Sequence, residues 1–129
     1  MPLSKAIERI KYAARREPPT GVVILSDGLY RYSLTRATGT FGLTVSGRVL
    51  TRQQIEDVLV EQNAATPAQA KVAVLIAAGC TKAAIARKLR ISHHTVLRHS
   101  EALFERHGAK TRVDLAQRIT GMLADLLKE

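Results

Sequence analysis

Seven residues in one short stretch can carry contacts to a polyanion or to the edge of a base pair: His93, His94, Thr95, Leu97, Arg98, His99 and Glu101. An arginine fork matches the two acceptors on the edge of guanine, so Arg98 is a candidate for a bidentate contact. Glu101 can accept from a cytosine amino group, and Leu97 can pack on a thymine methyl. His93, His94 and Thr95 fall at a helix start, where free backbone N–H groups and the dipole favour a phosphate or a base edge. His99 is counted with them, against the competing reading of a packed or backbone-bonded imidazole. Thr81, Lys82, Lys110 and Arg112 are candidates for phosphates, contacts that set affinity and register but carry no sequence information.

The elements that position these groups run from Thr81 to Gly108, TKAAIARKLRISHHTVLRHSEALFERHG. Thr81 is a good N-cap, and Ala84, Ile85 and Leu89 give a short helix a narrow apolar stripe. Ile91 fills the turn that follows. Ser92 caps a second helix, to about His107, whose Val96, Leu103 and Phe104 recur on one face. His93, His94, Leu97, Arg98 and Glu101 fall largely on the opposite face. Two short helices and a tight turn, in a strongly basic chain, predict a recognition helix rather than a merely solvated one.

The balance of 20 basic and 11 acidic residues gives a net charge of +9, which points to a polyanionic partner without specifying a fold. The excess is uneven: residues 1–65 hold 9 basic and 6 acidic side chains, residues 66–129 hold 11 and 5. A single cysteine, Cys80, excludes an internal disulfide and fits a reducing cytoplasm. No apolar run approaches a membrane span, and the start of the chain lacks the apolar core of a signal peptide. A soluble cytoplasmic protein with no membrane contact is the expectation.

Residues 1–63 predict a small α+β module of unknown role. Over residues 3–16, Leu3, Ile7, Ile10 and Ala14 lie at helical spacing, opposite a basic face, and Pro18-Pro19 stop the helix. Glycines from Gly21 to Gly47 signal turns. Val22–Ser26 reads as a strand, Asp27-Gly28 as a two-residue hairpin turn, and Tyr30, Tyr32 and Leu34 as one face of the next strand. After a loop at Arg36–Thr40, Phe41, Leu43 and Val45 alternate, and Ser46-Gly47 is expected to turn into a short Arg48–Leu50 strand. The tyrosines and Phe41 are expected to form the sheet's core rather than a pocket. Thr51 and Gln54 make a capping box for a helix to Asn63, with Ile55, Val58 and Leu59 inward. A module of this size is marginal alone, so it should pack on the remainder of the chain or dimerise.

Residues 66–129 predict a four-helix domain. Thr66-Pro67-Ala68-Gln69 opens its first helix with an N-cap, a first-turn proline and a capping box. Val72, Leu75 and Ile76 are its buried face, and Gly79 ends it. Gly108 ends the recognition helix. Thr111 starts the last one, with Leu115, Ile119, Met122, Leu123 and Leu126 forming an apolar stripe assigned to dimerisation. Leu115 and Ile119 are expected to face the domain core, Met122 and Leu126 to be less covered.

The stretch TPAQAKVAVLIAAGCTKAAIARKLRISHHTVLRHSEALFERHGAKTRVDLAQRI resembles the four-helix LuxR/GerE-type helix-turn-helix domain. The carriers are the Thr-Pro opening, Gly79, Ile85-Ala86 with Leu89, Ile91-Ser92, Thr95-Val96, His99, and Gly108 leading into Lys110-Thr111-Arg112 and Asp114-Leu115. In that family the third helix enters the major groove and the fourth usually makes the dimer. The departures, Leu97 in place of a frequent Lys, Arg98 in place of a small apolar residue, and an acidic Glu101, concern the target sequence rather than the fold. The part before residue 66 is too short for a phosphoacceptor receiver or a typical acyl-homoserine-lactone-binding domain.

No paired cysteines or convergent histidines suggest a metal, and no phosphate loop or nucleophile motif suggests an enzyme, so neither cofactor nor catalysis is expected. The expectation is a transcription regulator binding duplex DNA as a homodimer. Two alternatives remain: an antagonist acting on a regulatory protein partner through heterodimers made by the last helix, and a sigma-factor-like DNA-binding region.

Overall fold

The computed structural model describes residues 20–37 and 40–127. The helix expected over residues 3–16 lies outside them. The described residues begin with a three-stranded antiparallel sheet in the order β1-β2-β3: β1 (Thr20–Leu25), β2 (Gly28–Ala37) and β3 (Thr40–Thr51). Five helices follow: α1 (Arg52–Asn63), α2 (Pro67–Ala77), α3 (Lys82–Leu89), α4 (His93–His107) and α5 (Arg112–Leu126). An α+β module thus precedes an all-α four-helix domain of the helix-turn-helix kind.

The first hairpin turns one residue earlier than the sequence suggests. Leu25 pairs with Gly28, so Ser26 and Asp27 are the turn and Gly28 opens β2. Gly28 is required where it stands: its φ is +154°, and a Cβ would lie 2.2 Å from the Leu50 carbonyl oxygen. The turn is pinned from the side, because the Tyr30 hydroxyl donates to Asp27 Oδ2 over 2.7 Å. That hydrogen bond, with desolvation and the Asp27 charge, raises the Tyr30 pKa above its ordinary value.

Ser46-Gly47 is not a turn. β3 runs through it, and register shifts between Leu29 and Tyr30 and between Tyr30 and Tyr32 absorb the additional residues as bulges. The sheet has two apolar faces. Val22, Ile24, Leu29 and Leu50 enter the main core, while Val23 and Tyr32, with Leu25 and Tyr30 beside them, form a separate cluster on the other face. Tyr32 is therefore core, as its alternation predicts.

Every helix among the described residues begins on a side-chain cap. Thr51, Thr66, Thr81, Ser92 and Thr111 each accept from the backbone N–H three residues on, and Thr51–Gln54 and Thr66–Gln69 are complete capping boxes. α2 is the central element: all residues from Val72 to Ala78 are buried, because α1, α3, α4, α5 and β1 surround it. The core is continuous through Ile24 and Leu29 of the sheet, Ile55 and Leu59 of α1, and Ile85, Leu103, Leu115 and Ile119 of the later helices. The small module has therefore found its missing partner surface in the helical domain. Glu56, buried in this junction, receives Lys71 of α2 at 2.9 Å and Arg52 at 3.4 Å. A buried carboxylate is tolerated because both cations reach it.

Candidate nucleic-acid interface

α4 buries Val96 and Leu103, which turns the opposite face of the helix outward. His93, His94, Leu97, Arg98 and Glu101 are all exposed there, and Leu97 keeps 42% of its surface in water. An apolar side chain so exposed beside Arg98 suits contact with a methyl group as much as with solvent. The side chains of Arg98 and Glu101 have no ion-pair partner among the described residues, so their charges are available to a ligand.

The start of α4 is held rigidly. Ser92 Oγ accepts from the Thr95 N–H at 3.0 Å and lies 2.9 Å from Thr95 Oγ1. Thr95 is thus half-buried and engaged in capping, which makes it a residue that positions the helix end. The N–H groups of His93 and His94, at the first two helical positions, stand outside the helix ladder and face the same end. His99 is half-buried on the flank of the helix and apart from the exposed ridge.

A second group gathers at the corner between α2 and α3. The Arg112 guanidinium donates to the Cys80 carbonyl oxygen, which brings the first turn of α5 beside Thr81 and Lys82. Arg112 therefore clamps the corner with part of its donor set. Thr81 Oγ1 accepts from the Ala84 N–H at 3.1 Å. Lys82 and Lys110 are exposed, and the Lys110 N–H donates to Asp114 Oδ2 at 3.3 Å, which fixes the loop before α5. Asp114 in turn pairs with Arg118 at 3.1 Å.

Sequence reasoning passed over three cations and one carboxylate. Arg87, Lys88 and Arg90 are exposed at the end of α3 and in the turn to α4, with no ion pair among the described residues. Their signal was present in the sequence: no Asp or Glu occurs between Glu61 and Glu101, a stretch holding Lys71, Lys82, Arg87, Lys88, Arg90 and Arg98. Glu105, one turn beyond Glu101, adds a second exposed carboxylate to the outer face of α4. Arg106 of α4 points elsewhere, donating to the Asn63 and Ala64 carbonyl oxygens at the end of α1, at 3.2 and 2.6 Å.

The stripe assigned to dimerisation is mostly internal. Leu115, Ile119 and Leu123 are each at most 1% exposed, because α2 and β1 lie against α5. Leu115 and Ile119 face the core, and Leu123 is buried with them. Met122 is half-buried against the same core, with Asn63 Nδ2 donating to its sulfur at 3.1 Å. Leu126, 51% exposed, is the most open of that set among the large hydrophobics; Val113, 62% exposed, lies on the outer side of the same helix. No helix among the described residues is long and apolar enough to cross a membrane, and no group of three or more His, Cys, Asp or Glu among them could hold a metal ion.

Residues 65–119 match the family model GerE, described as bacterial regulatory proteins of the luxR family. Neither the comparison with curated proteins nor that with solved structures gave a match. The matched segment contains α2, α3 and α4 and the first half of α5, with the caps at Thr66, Thr81, Ser92 and Thr111 each in place. Such a match carries the expectation of DNA binding by a transcription regulator. Residues 65–119 of this chain are similar to the GerE-type helix-turn-helix domain of the luxR family.

Proposed function

We propose that the chain is a cytoplasmic transcription regulator, without catalytic activity, that binds specific duplex DNA as a homodimer, with α4 in the major groove. The observation that carries this reading is the outer face of α4: His93, His94, Leu97 and Arg98 stand exposed at a firmly capped helix end. Arg98 reads guanine and Leu97 a thymine methyl. Glu101 accepts from cytosine, and the first-turn amides with His93 and His94 take a phosphate or a base edge. Lys82, Lys110 and Thr81, with the remaining donors of Arg112, hold the flanking phosphates.

The test is the salt dependence of duplex binding. Lys82→Ala and Lys110→Ala should each weaken binding about equally on all sequences and reduce the slope of log affinity against log salt by about 1. Both side chains are exposed and support no internal contact, so the fold should be unchanged. An unaltered slope in both variants would remove this docking.

One observation favours a second reading. Glu101 and Glu105 place two carboxylates on the outer face of α4, where a phosphate backbone would repel them. A protein that binds DNA weakly and acts on a related regulator through its last helix would tolerate both. Duplex binding by the purified chain at moderate salt separates the two readings.

A further inference from the structure

We propose that the cleft between the β3–α1 corner and the C-terminal end of α3 binds a small organic anion, its oxyanion group on Arg48, Arg52 and Lys88 and its apolar part on Leu75 and Leu89. The cleft is an open depression of about 490 Å³. Its walls come from both parts of the chain: Asp27 and Arg48 from the sheet, Arg52 from α1, Leu75 from α2, and Lys88 and Leu89 from α3.

The charge of this cleft is incompletely compensated. Among the described residues Asp27 is the one carboxylate lining it. It lies 3.7 Å from Arg48, a long pair between groups about half exposed, and such a pair contributes little. Tyr30 already occupies Asp27 through its hydroxyl. Arg52 reaches Glu56 at 3.4 Å, but Glu56 is held more closely by Lys71, at 2.9 Å. Lys88 has no ion-pair partner among the described residues. The lining thus holds three cations, Arg48, Arg52 and Lys88, against the single carboxylate of Asp27, an excess of +2 around an opening with a partly apolar floor. Arg48 and Arg52, at the β3–α1 corner, and Lys88, from α3, face one space, where they repel one another until an anion enters. Two arginine forks and an ammonium suit an oxyanion. Half-buried Leu89, and the edge of Leu75 that reaches the cleft, suit an attached apolar body.

The experiment titrates the isotopically labelled full chain with phenyl phosphate, inorganic phosphate and uncharged phenol, following amide resonances. Phenyl phosphate should shift the Arg48, Gln53 and Lys88 amides along one saturating curve. It should bind about tenfold tighter than inorganic phosphate, because the ring leaves water, and phenol should not bind. Lys88→Gln and Arg48→Gln should each weaken phenyl phosphate about tenfold. Both side chains are exposed, so the melting temperature should hold. Shifts centred on His93 and His94, failure to saturate, or affinity unchanged in both variants would overturn the proposal. So would variants that lose duplex affinity while phenyl phosphate binding persists, since the cleft would then be a contact for the DNA backbone. The phenyl phosphate titration contains no DNA and the duplex measurement on the variants is a separate arm, so failure of the cleft and failure of the regulator assignment are distinguishable.

Discussion

At the scale of single residues, a histidine at the end of α4 is placed against its own charged form. His107 Nε2 is buried without a hydrogen-bond partner. Its pKa is lowered by desolvation first, and then by the charges of Arg106 and Arg118. The folded state therefore prefers neutral imidazole. The stability this contributes is fully present above the ordinary histidine pKa of about 6.5 and is lost as the pH falls from there through the lowered folded value. Urea midpoints of wild type should drop between pH 7.5 and pH 5, and His107→Gln should flatten that drop. An identical pH profile in the variant would show that this histidine is not the linked group. The burial of one edge of His107 was not legible in the sequence, because burial at a helix end is set by tertiary packing rather than by neighbours in the chain. The opposite holds for the caps. Thr51, Thr66, Thr81, Ser92 and Thr111 were legible one by one, since a cap is a contact within four residues.

At the scale of elements, α3 ends on Arg90 in a left-handed conformation, with φ 56° and ψ 47°. A non-glycine residue costs about 1–2 kcal/mol there, while glycine would forgo about 0.5–1 kcal/mol of backbone entropy in a regular conformation. Arg90→Gly should therefore raise stability by about 0.5–1 kcal/mol, read as a higher denaturant midpoint with an unchanged slope. A loss of stability would mean that the Arg90 side chain makes a contact outweighing the strain. The period of the helices was readable because each has one dry face. The elements misread were those defined across strands: the Ser46-Gly47 dipeptide has turn composition, but its conformation is set by pairing with β2, where bulges absorb the additional residues. The hairpin turn shifted for a related reason, since Gly28 is fixed by the closeness of Leu50 rather than by the turn itself.

At the scale of the whole molecule, the sheet, α1 and the helix-turn-helix domain share one core, and this changes what the last helix can offer a partner. The stripe of Leu115, Ile119, Met122, Leu123 and Leu126 was legible as apolar, but periodicity does not say what covers it, and β1 and α2 cover most of it. Substitutions at Leu115, Ile119 or Leu123 should damage folding, by about 2–5 kcal/mol for Ala. Leu126 is different. It is half exposed near the end of α5, so Leu126→Glu should leave the fold intact. If the proposed homodimer uses this helix end, sedimentation should show the variant as a monomer with weaker duplex binding. A dimer that persists in the variant would move the interface elsewhere, and a wild type that is monomeric with and without DNA would remove it.

The central claim is that α4 reads base edges. Selection of bound sequences from a random duplex pool, with wild type and Arg98→Ala in parallel, tests it most directly. The account predicts enriched sites for wild type with two-fold related halves about 34 Å apart, one DNA turn. It also predicts loss of preference at one base pair per half-site in the variant, at a cost of about 1–3 kcal/mol on the best sequence. A pool that stays unenriched, or identical enriched sites from both proteins, would contradict it.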